Sequence, residues 1–292
     1  MKLVTFTSAI GSGIGVIRDD GAVVDLASDP GLPTDMAEFV ALGESGRAAA
    51  QRVLDDSAST TVPEPRLSAP IRPRNNIMAI GKNYHAHALE FSASGFDASE
   101  TTAIPEYPIV FTKALTSIIA DGEAIELSSD PTGTSDYEGE LGVIIGEGGM
   151  NIGAEEAFDH VYGYTVINDV TSREVQHQHV QFFLGKSPAT FCPMGPAIVT
   201  RDEIPDITKM MLRTRVNGEL RQESEISLLI FDIPTLIETI SRTVRLEPGD
   251  VIATGTPAGV GLGFDPPKFL KDGDVVEVDI EGVGVLTNPV VE

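Results

Sequence analysis

From Asn76 onward the chain is cut into short apolar runs, each closed by glycine, proline or a polar turn: "NIMAIG", "IVFTKA", "ELGVIIG", "HVYGYTVIND", "GPAIVT", "MMLRTRVNGEL", "DVIATGT", "VVEVDI" and "GVGVLTNPV". Runs of this length, rich in Val and Ile and bounded by turn residues, are strands rather than helices. The 29 glycines and 19 prolines carry no period, so they mark turns and not a repeat. Only "DIPTLIETISRTV" in this part has the clear spacing of a helix. The sequence therefore predicts a β-rich α+β fold, a mixed β-sandwich or roll with few helices.

The first 70 residues read as a small α+β domain of their own, ahead of a large domain over residues 71–292. "KLVTFT", "GIGVIR" and "AVVDLA" are short strands, the last two joined through an Asp-Gly turn, and "TDMAEFVAL" and "SGRAAAQRVL" are short helices. The proline-rich segment near residues 56–74 is the expected linker. "GSGIGV" imitates a dinucleotide-binding fingerprint but runs into a strand rather than a helix, so it makes no phosphate site. "KNYHAHALEFSASG" is expected to form a short helix, and the small-residue stretch "SASGFDASETTAIPEYP", residues 92–108, a lid.

Forty-four acidic residues against 20 basic ones give a formal charge of −24. Such a surface repels phosphate backbones and anionic lipid heads, which argues against nucleic acid and membrane as partners. A small anionic substrate would need a cation, or a local cluster of Lys and Arg, inside one cleft. No window reaches the roughly 18 apolar residues of a membrane span and the start lacks a secretory signal, so a cytoplasmic location is expected. The single cysteine, Cys192, excludes an intrachain disulfide framework and fits a reducing compartment. No basic partner lies near it in sequence, so it reads as a buried small residue and not as a nucleophile.

The stretch "TSDYEGELGVIIG" places two glutamates one glycine apart at the mouth of an apolar strand. Side chains alternate along a strand, so Glu138 and Glu140 share one face. Two partly buried carboxylates that close must share a proton or hold a cation. Hard oxygen donors suit Mg²⁺ or Mn²⁺, with Ca²⁺ as a substitute, and no Cys/His cluster suggests structural zinc. "YTVINDVTSREVQ" offers Asp169 as a third ligand where its apolar run breaks. The competing reading of Glu-x-Glu is a pair on the solvated face of an edge strand.

Five blocks, in order, carry a resemblance: "GKNYHAHALE", "DYEGELGVIIG", "NDVTSREVQ", "GKSPATFCPMGPAIV" and "LEPGDVIATGTPAGVG". Together they resemble the fumarylacetoacetate hydrolase family, in its acylpyruvase or 2-oxo acid hydrolase-like branch, from about residue 76 to the C-terminus. The resemblance implies the fumarylacetoacetase C-terminal type of fold, with Glu138, Glu140 and Asp169 holding magnesium or manganese. It implies His87 and Glu90 as a catalytic pair on a mobile segment; three residues apart on a helix, they share a face. His85 falls elsewhere on that helix and receives no role. Lys186 matches the active-site lysine, Arg173 and Gln176 match substrate-orienting positions, and Thr256 sits in a glycine-rich loop able to hold a carboxylate.

The sequence departs from many relatives at "KSPATF", where Pro188 and Ala189 replace an aromatic ring and a carboxylate. It also carries Lys82 in "GKNY", with an ammonium whose direction the sequence leaves open. His160, His177 and His179 have no evident role.

The chemistry implied is that of a 2-oxo acid whose carboxylate and keto oxygen meet a divalent cation, so that negative charge at C3 is stabilised as an enolate. The leading expectation is a metal-dependent hydrolase cleaving a C–C bond of 2,4-dioxo acids of the acylpyruvate or fumarylpyruvate type, releasing pyruvate and a carboxylic acid, in the breakdown of aromatic compounds. Its alternatives are an oxaloacetate decarboxylase, a hydratase or isomerase of 2-oxo acids on the same site and, more remotely, a non-catalytic binder of metal and oxo acid. A homodimer is expected by resemblance alone.

Overall fold

A computed structural model describes residues 1–97 and 103–292. An eleven-stranded mixed sheet dominates it, and a five-stranded sheet packs on one face. The strands Gly139–Ile145, Val161–Asn168 and Cys192–Thr200 form the antiparallel centre of the large sheet. Val251–Ala253 and Ile77–Gly81 extend it on one side, parallel to each other, and Ile109–Lys113 closes that edge. The five-stranded sheet contains the Met211–Val216 and Glu219–Glu225 hairpin, turned by Asn217 and Gly218 at φ of 52° and 78°, as a two-residue hairpin of this hand requires. This is the expected β-rich α+β fold with mixed sheets.

Both faces of the central strand are covered, which explains why "ELGVIIG" reads as a continuous apolar run and not as alternation. Leu141, Val143 and Ile145 face the five-stranded sheet in a core with Leu212, Val276 and Val278. Ile144 faces the other way, into a core shared with Phe39, Ala50 and Val53 of the helices Met36–Val40 and Gly43–Asp55. By this alternation Glu138 and Glu140 lie on the face away from the second sheet. The glycine between them is dictated by the other face, since a Cβ at Gly139 would collide with Thr214 Oγ1.

The N-terminal strands join the same large sheet, with Lys2 opposite Val199 and Leu3 opposite Ile198. The segment expected to be a loose linker is tied down instead. Arg66–Ser68 pairs with Thr5–Thr7, and Ile71 is fully buried, because the apolar residues among its prolines have a sheet edge to cover. "GSGIGV" lies within the strand Gly11–Ile17, as its sequence predicts. Part of the expected lid, residues 98–102, lies outside the described residues. No helix among the described residues is long and apolar enough to cross a membrane.

Candidate active site

Glu138 and Glu140 straddle the first residue of the strand Gly139–Ile145, and Asp169 follows the end of its antiparallel neighbour. The pairing of Gly139 with Asn168 brings the two strand ends together, and backbone bonds fix the corner. Asp169 N–H donates to the Glu138 carbonyl at 2.8 Å, and Glu138 N–H donates to Asn168 Oδ1 at 3.0 Å. One carboxylate oxygen from each of Glu138, Glu140 and Asp169 lies within 4.8 Å of the other two, and all three side chains are buried.

Buried cations surround the three acids. Arg173, first in the helix Arg173–His179, donates from Nη1 to Glu138 Oε1 at 2.6 Å and from Nε to Asp136 Oδ2 at 2.8 Å. Lys186 Nζ donates to Glu138 Oε2 at 2.8 Å and Asp169 Oδ2 at 2.7 Å. Lys113, in the strand Ile109–Lys113, lies against Asp169 Oδ1 and the carbonyls of Val170 and Lys186. Asp136 also accepts N–H bonds from Gly261 and Leu262, tying the arginine to the glycine-rich loop. Lys113 and Asp136 were given no role from sequence. The one available signal was a charged residue inside a run otherwise suited to burial.

The electrostatics single out Glu140. Burial pushes the Glu138 carboxyl up, but Lys186 and Arg173 outweigh it and hold it down at about 2. Burial also acts against the Lys186 ammonium, and Asp169 and Glu138 more than compensate. Glu140 has one bond, from Gly255 N–H at 2.9 Å, and burial together with Asp169 and Glu138 drives its carboxyl well above the ordinary range. Four buried carboxylates (Asp136, Glu138, Glu140, Asp169) thus meet three buried cations (Lys113, Arg173, Lys186), and among the described residues Glu140 is the acid that none of the three pairs with, so it is the one that holds its proton most readily. A cluster of hard oxygen donors short of positive charge fits a divalent cation.

The helix His85–Ala93 carries His87 and Glu90 to the same place. His87 is buried, with Nδ1 3.2 Å from Glu90 Oε2, and Glu90 Oε1 accepts the Gly259 N–H at 2.9 Å. His85 is exposed. A small cavity of about 20 Å³ is lined by His87, Glu138, Arg173, Gln176, Lys186 and Thr256, with Lys82 and Phe91 beside them, so most of the residues singled out from sequence converge on one space. Glu140 and Asp169 do not line it but lie against Glu138, which does. The Thr256 hydroxyl is already engaged, donating to the Gly139 carbonyl and accepting from Gln222. Arg173 Nη2 is buried and has no hydrogen-bond partner among the described residues. Pro188 lines a separate outer groove. Cys192 is buried, and burial pushes its thiol up to about 12, as suits an inert residue.

A β-rich fold with a buried three-carboxylate corner, clamped by lysine and arginine and overlain by a His–Glu pair, has the donor set of a divalent-cation site. The chain belongs to the fumarylacetoacetate hydrolase family, whose C-terminal domain model matches residues 76–291. It is 42% identical to the oxaloacetate tautomerase YisK of Bacillus subtilis over 95% of both chains. It is 41% identical to a mitochondrial oxaloacetate tautomerase of Xenopus laevis, over 100% of this chain and 90% of that one. The structure of maleylpyruvate hydrolase from Sphingobium, in complex with manganese and pyruvate, superposes with a TM-score of 0.80 at 28% identity, covering 100% of this chain and 99% of the other.

Proposed function

We propose that this chain is a divalent-metal-dependent enzyme that moves a proton between C3 and the C2 oxygen of oxaloacetate, a keto–enol tautomerase. The observation that carries this reading is the similarity, over nearly the whole chain, to two relatives named as oxaloacetate tautomerases. The site chemistry agrees, since a proton shift needs a positioned base and a stabilised enolate but no nucleophile. This favours the isomerase alternative over the C–C hydrolase that leads from sequence.

Glu138, Glu140 and Asp169 would hold Mg²⁺ or Mn²⁺, which when bound supplies a Lewis acid for the keto and carboxylate oxygens. Glu90 fixes His87 through Nδ1, so Nε2 is the nitrogen that takes the C3 proton and passes it on. The Lys186 ammonium stabilises negative charge at the C2 oxygen as C3 is deprotonated. Gln176 and the unpartnered Nη2 of Arg173 orient the substrate's 2-oxo carboxylate. Thr256 holds the glycine-rich loop against the strand through Gly139.

A second reading, hydrolysis of an acylpyruvate C–C bond with His87 and Glu90 activating water, is favoured by the maleylpyruvate hydrolase likeness. One assay separates them: decay of enol-oxaloacetate absorbance, and pyruvate release from acetylpyruvate and from oxaloacetate, each with Mg²⁺, Mn²⁺ or excess EDTA. Metal-dependent acceleration of enol decay is expected to exceed both releases. An uncatalysed enol decay beside rapid pyruvate release from acetylpyruvate would replace the tautomerase by the hydrolase. The homodimer belongs to this proposal too, and light scattering tests it.

A further inference from the structure

Arg173, Lys186 and Lys113 are committed to the carboxylates of the metal corner. Lys82 is not. It is 4% exposed and lines the cavity alongside His87, Arg173 and Lys186. Its Nζ donates to Asp97 Oδ2 at 2.6 Å, and Ser92 Oγ donates to the same oxygen at 3.0 Å. Lys82 Nζ and the Arg173 guanidinium carbon lie 5.4 and 6.0 Å from the centroid of the Phe91 ring, so both cations sit by one aromatic side chain. Phe91 follows Glu90 on the catalytic helix.

The backbone of Lys82 is in the left-handed region, at φ 54°. A non-glycine residue held there needs support from its surroundings, and such residues gather at ligand sites. The conformation follows directly on the strand Ile77–Gly81, and its neighbour Asn83 is locked by its side chain to Phe231 and Thr254. The lysine is thus delivered to the cavity by rigid backbone.

From this placement we infer that Lys82 receives the distal, C4 carboxylate of a dicarboxylic 2-oxo acid and sets the preference for diacids over monoacids. The inference rests on the reading of the cavity as a 2-oxo acid site. In the structure the Asp97 carboxylate stands where the substrate's own carboxylate would be received. An ammonium has three donors, so it can turn from Asp97 to a second carboxylate or hold both. Arg173 and Lys186 serve the 2-oxo end near the three acids, and Lys82 serves the other end across Phe91. A monoacid of the same length brings that buried ammonium no second carboxylate and gains nothing from it.

The test compares oxaloacetate with 2-oxobutyrate, which carries a methyl in place of the distal carboxylate. Binding of each to the full-length Mn²⁺-loaded protein is measured by calorimetry, for the wild type and for Lys82→Met, Lys82→Arg and Asp97→Asn, with enol decay followed in parallel. The wild type is expected to bind oxaloacetate at least tenfold more tightly than 2-oxobutyrate. Lys82→Met should erase that ratio by weakening oxaloacetate alone, Lys82→Arg should retain most of it, and Asp97→Asn should keep or raise it. A ratio unchanged in Lys82→Met, absent in the wild type, or lost equally in Asp97→Asn overturns the assignment; the last would make the ion pair a strut. Should Lys82→Met fail to fold, the arginine and asparagine variants still decide. A Lys82-dependent ratio with no enol turnover would instead keep the assignment and remove the tautomerase reading.

Discussion

Glu90 reaches from the helix His85–Ala93 to the backbone of Gly259, whose N–H it accepts at 2.9 Å through Oε1, while Oε2 stands 3.2 Å from His87 Nδ1. The His87–Glu90 pair is therefore held by the glycine-rich loop as well as by its own helix. That loop also reaches the three-carboxylate corner, through Asp136, which accepts the N–H groups of Gly261 and Leu262 and binds Arg173. Phe91, Val260 and Leu262 pack together between the two connections.

His87→Ala is expected to lower kcat for enol decay by about 10²–10⁴-fold, the usual worth of a positioned proton-transfer group. The Mn²⁺ affinity should stay within a few-fold of wild type, since His87 adjoins the three acids without being one of them. Glu90→Gln keeps an acceptor for Gly259 but alters the partner of Nδ1, so its loss should be smaller and also confined to kcat. Stopped-flow kinetics with calorimetry of metal binding checks both. A full rate in His87→Ala would remove the imidazole from the mechanism.

Glu140 should behave as a cost that the metal relieves. Its carboxyl is raised by burial and by Asp169 and Glu138, so the folded metal-free protein retains a proton that the unfolded chain loses at ordinary carboxylate pH. Metal-free stability therefore falls as pH rises from the ordinary carboxylate range towards the raised value, and Mn²⁺ affinity rises over the same interval because binding must expel that proton. Glu140→Gln should raise the Tm in EDTA by about 2 °C or more and abolish the Tm gain on adding Mn²⁺. A lower Tm in EDTA would show that Gly255 and the surrounding cations already satisfy the carboxylate.

Arg173→Met strips one cation from two buried acids. Asp136 is fully buried and its carboxyl is raised, burial outweighing the help of the guanidinium, so losing Arg173 leaves a charge with no cation beside it. Breaking a buried pair from one side costs about 3–5 kcal/mol. Urea unfolding in EDTA should show a loss of that size, and Asp136→Asn combined with Arg173→Met should cost less than the sum of the two single changes. Additive costs would mean that the two side chains act independently.

The convergence of the three acids was legible because its determinants are local. Glu138 and Glu140 follow from strand alternation and Asp169 from the break after an apolar run, whereas His87 and Glu90 are singled out by the family resemblance, helical spacing adding only that they share a face. Lys113 and Asp136 were not, since each is identified by what long-range folding brings to it. Lys113 looks like the end of an ordinary strand until the Val161–Asn168 strand and the Phe183–Lys186 helix deliver Asp169 and the Lys186 carbonyl. Asp136 meets Gly261 and Leu262 from 125 residues away and more. The same limit applies to the stretch before Ile77, where proline content suggested a linker and the pairing of Arg66–Ser68 with Thr5–Thr7, far away in sequence, decided otherwise. Helices at Arg173–His179 and Phe183–Lys186 carry little apolar periodicity, because their inward faces are spent on Arg173, Gln176 and Lys186.

Two glycines of the loop should separate positioning from folding. A Cβ added at Gly263 would land on Glu90 Oε1, the far end of a side chain that can move aside, and Gly263 is not in the left-handed region. Gly263→Ala should therefore fold with nearly unchanged stability and metal affinity while displacing Glu90 from Gly259 and His87, lowering kcat. At Gly259, with φ 102°, a Cβ would strike the Arg221 carbonyl, which belongs to the backbone and cannot rotate away. Gly259→Ala should lose stability as well as rate. Thermal melts beside enol-decay kinetics distinguish the two variants: wild-type kcat in Gly263→Ala would mean that the contact between Glu90 and this loop does not position the catalytic pair, whereas lost activity at wild-type Tm would show that it does.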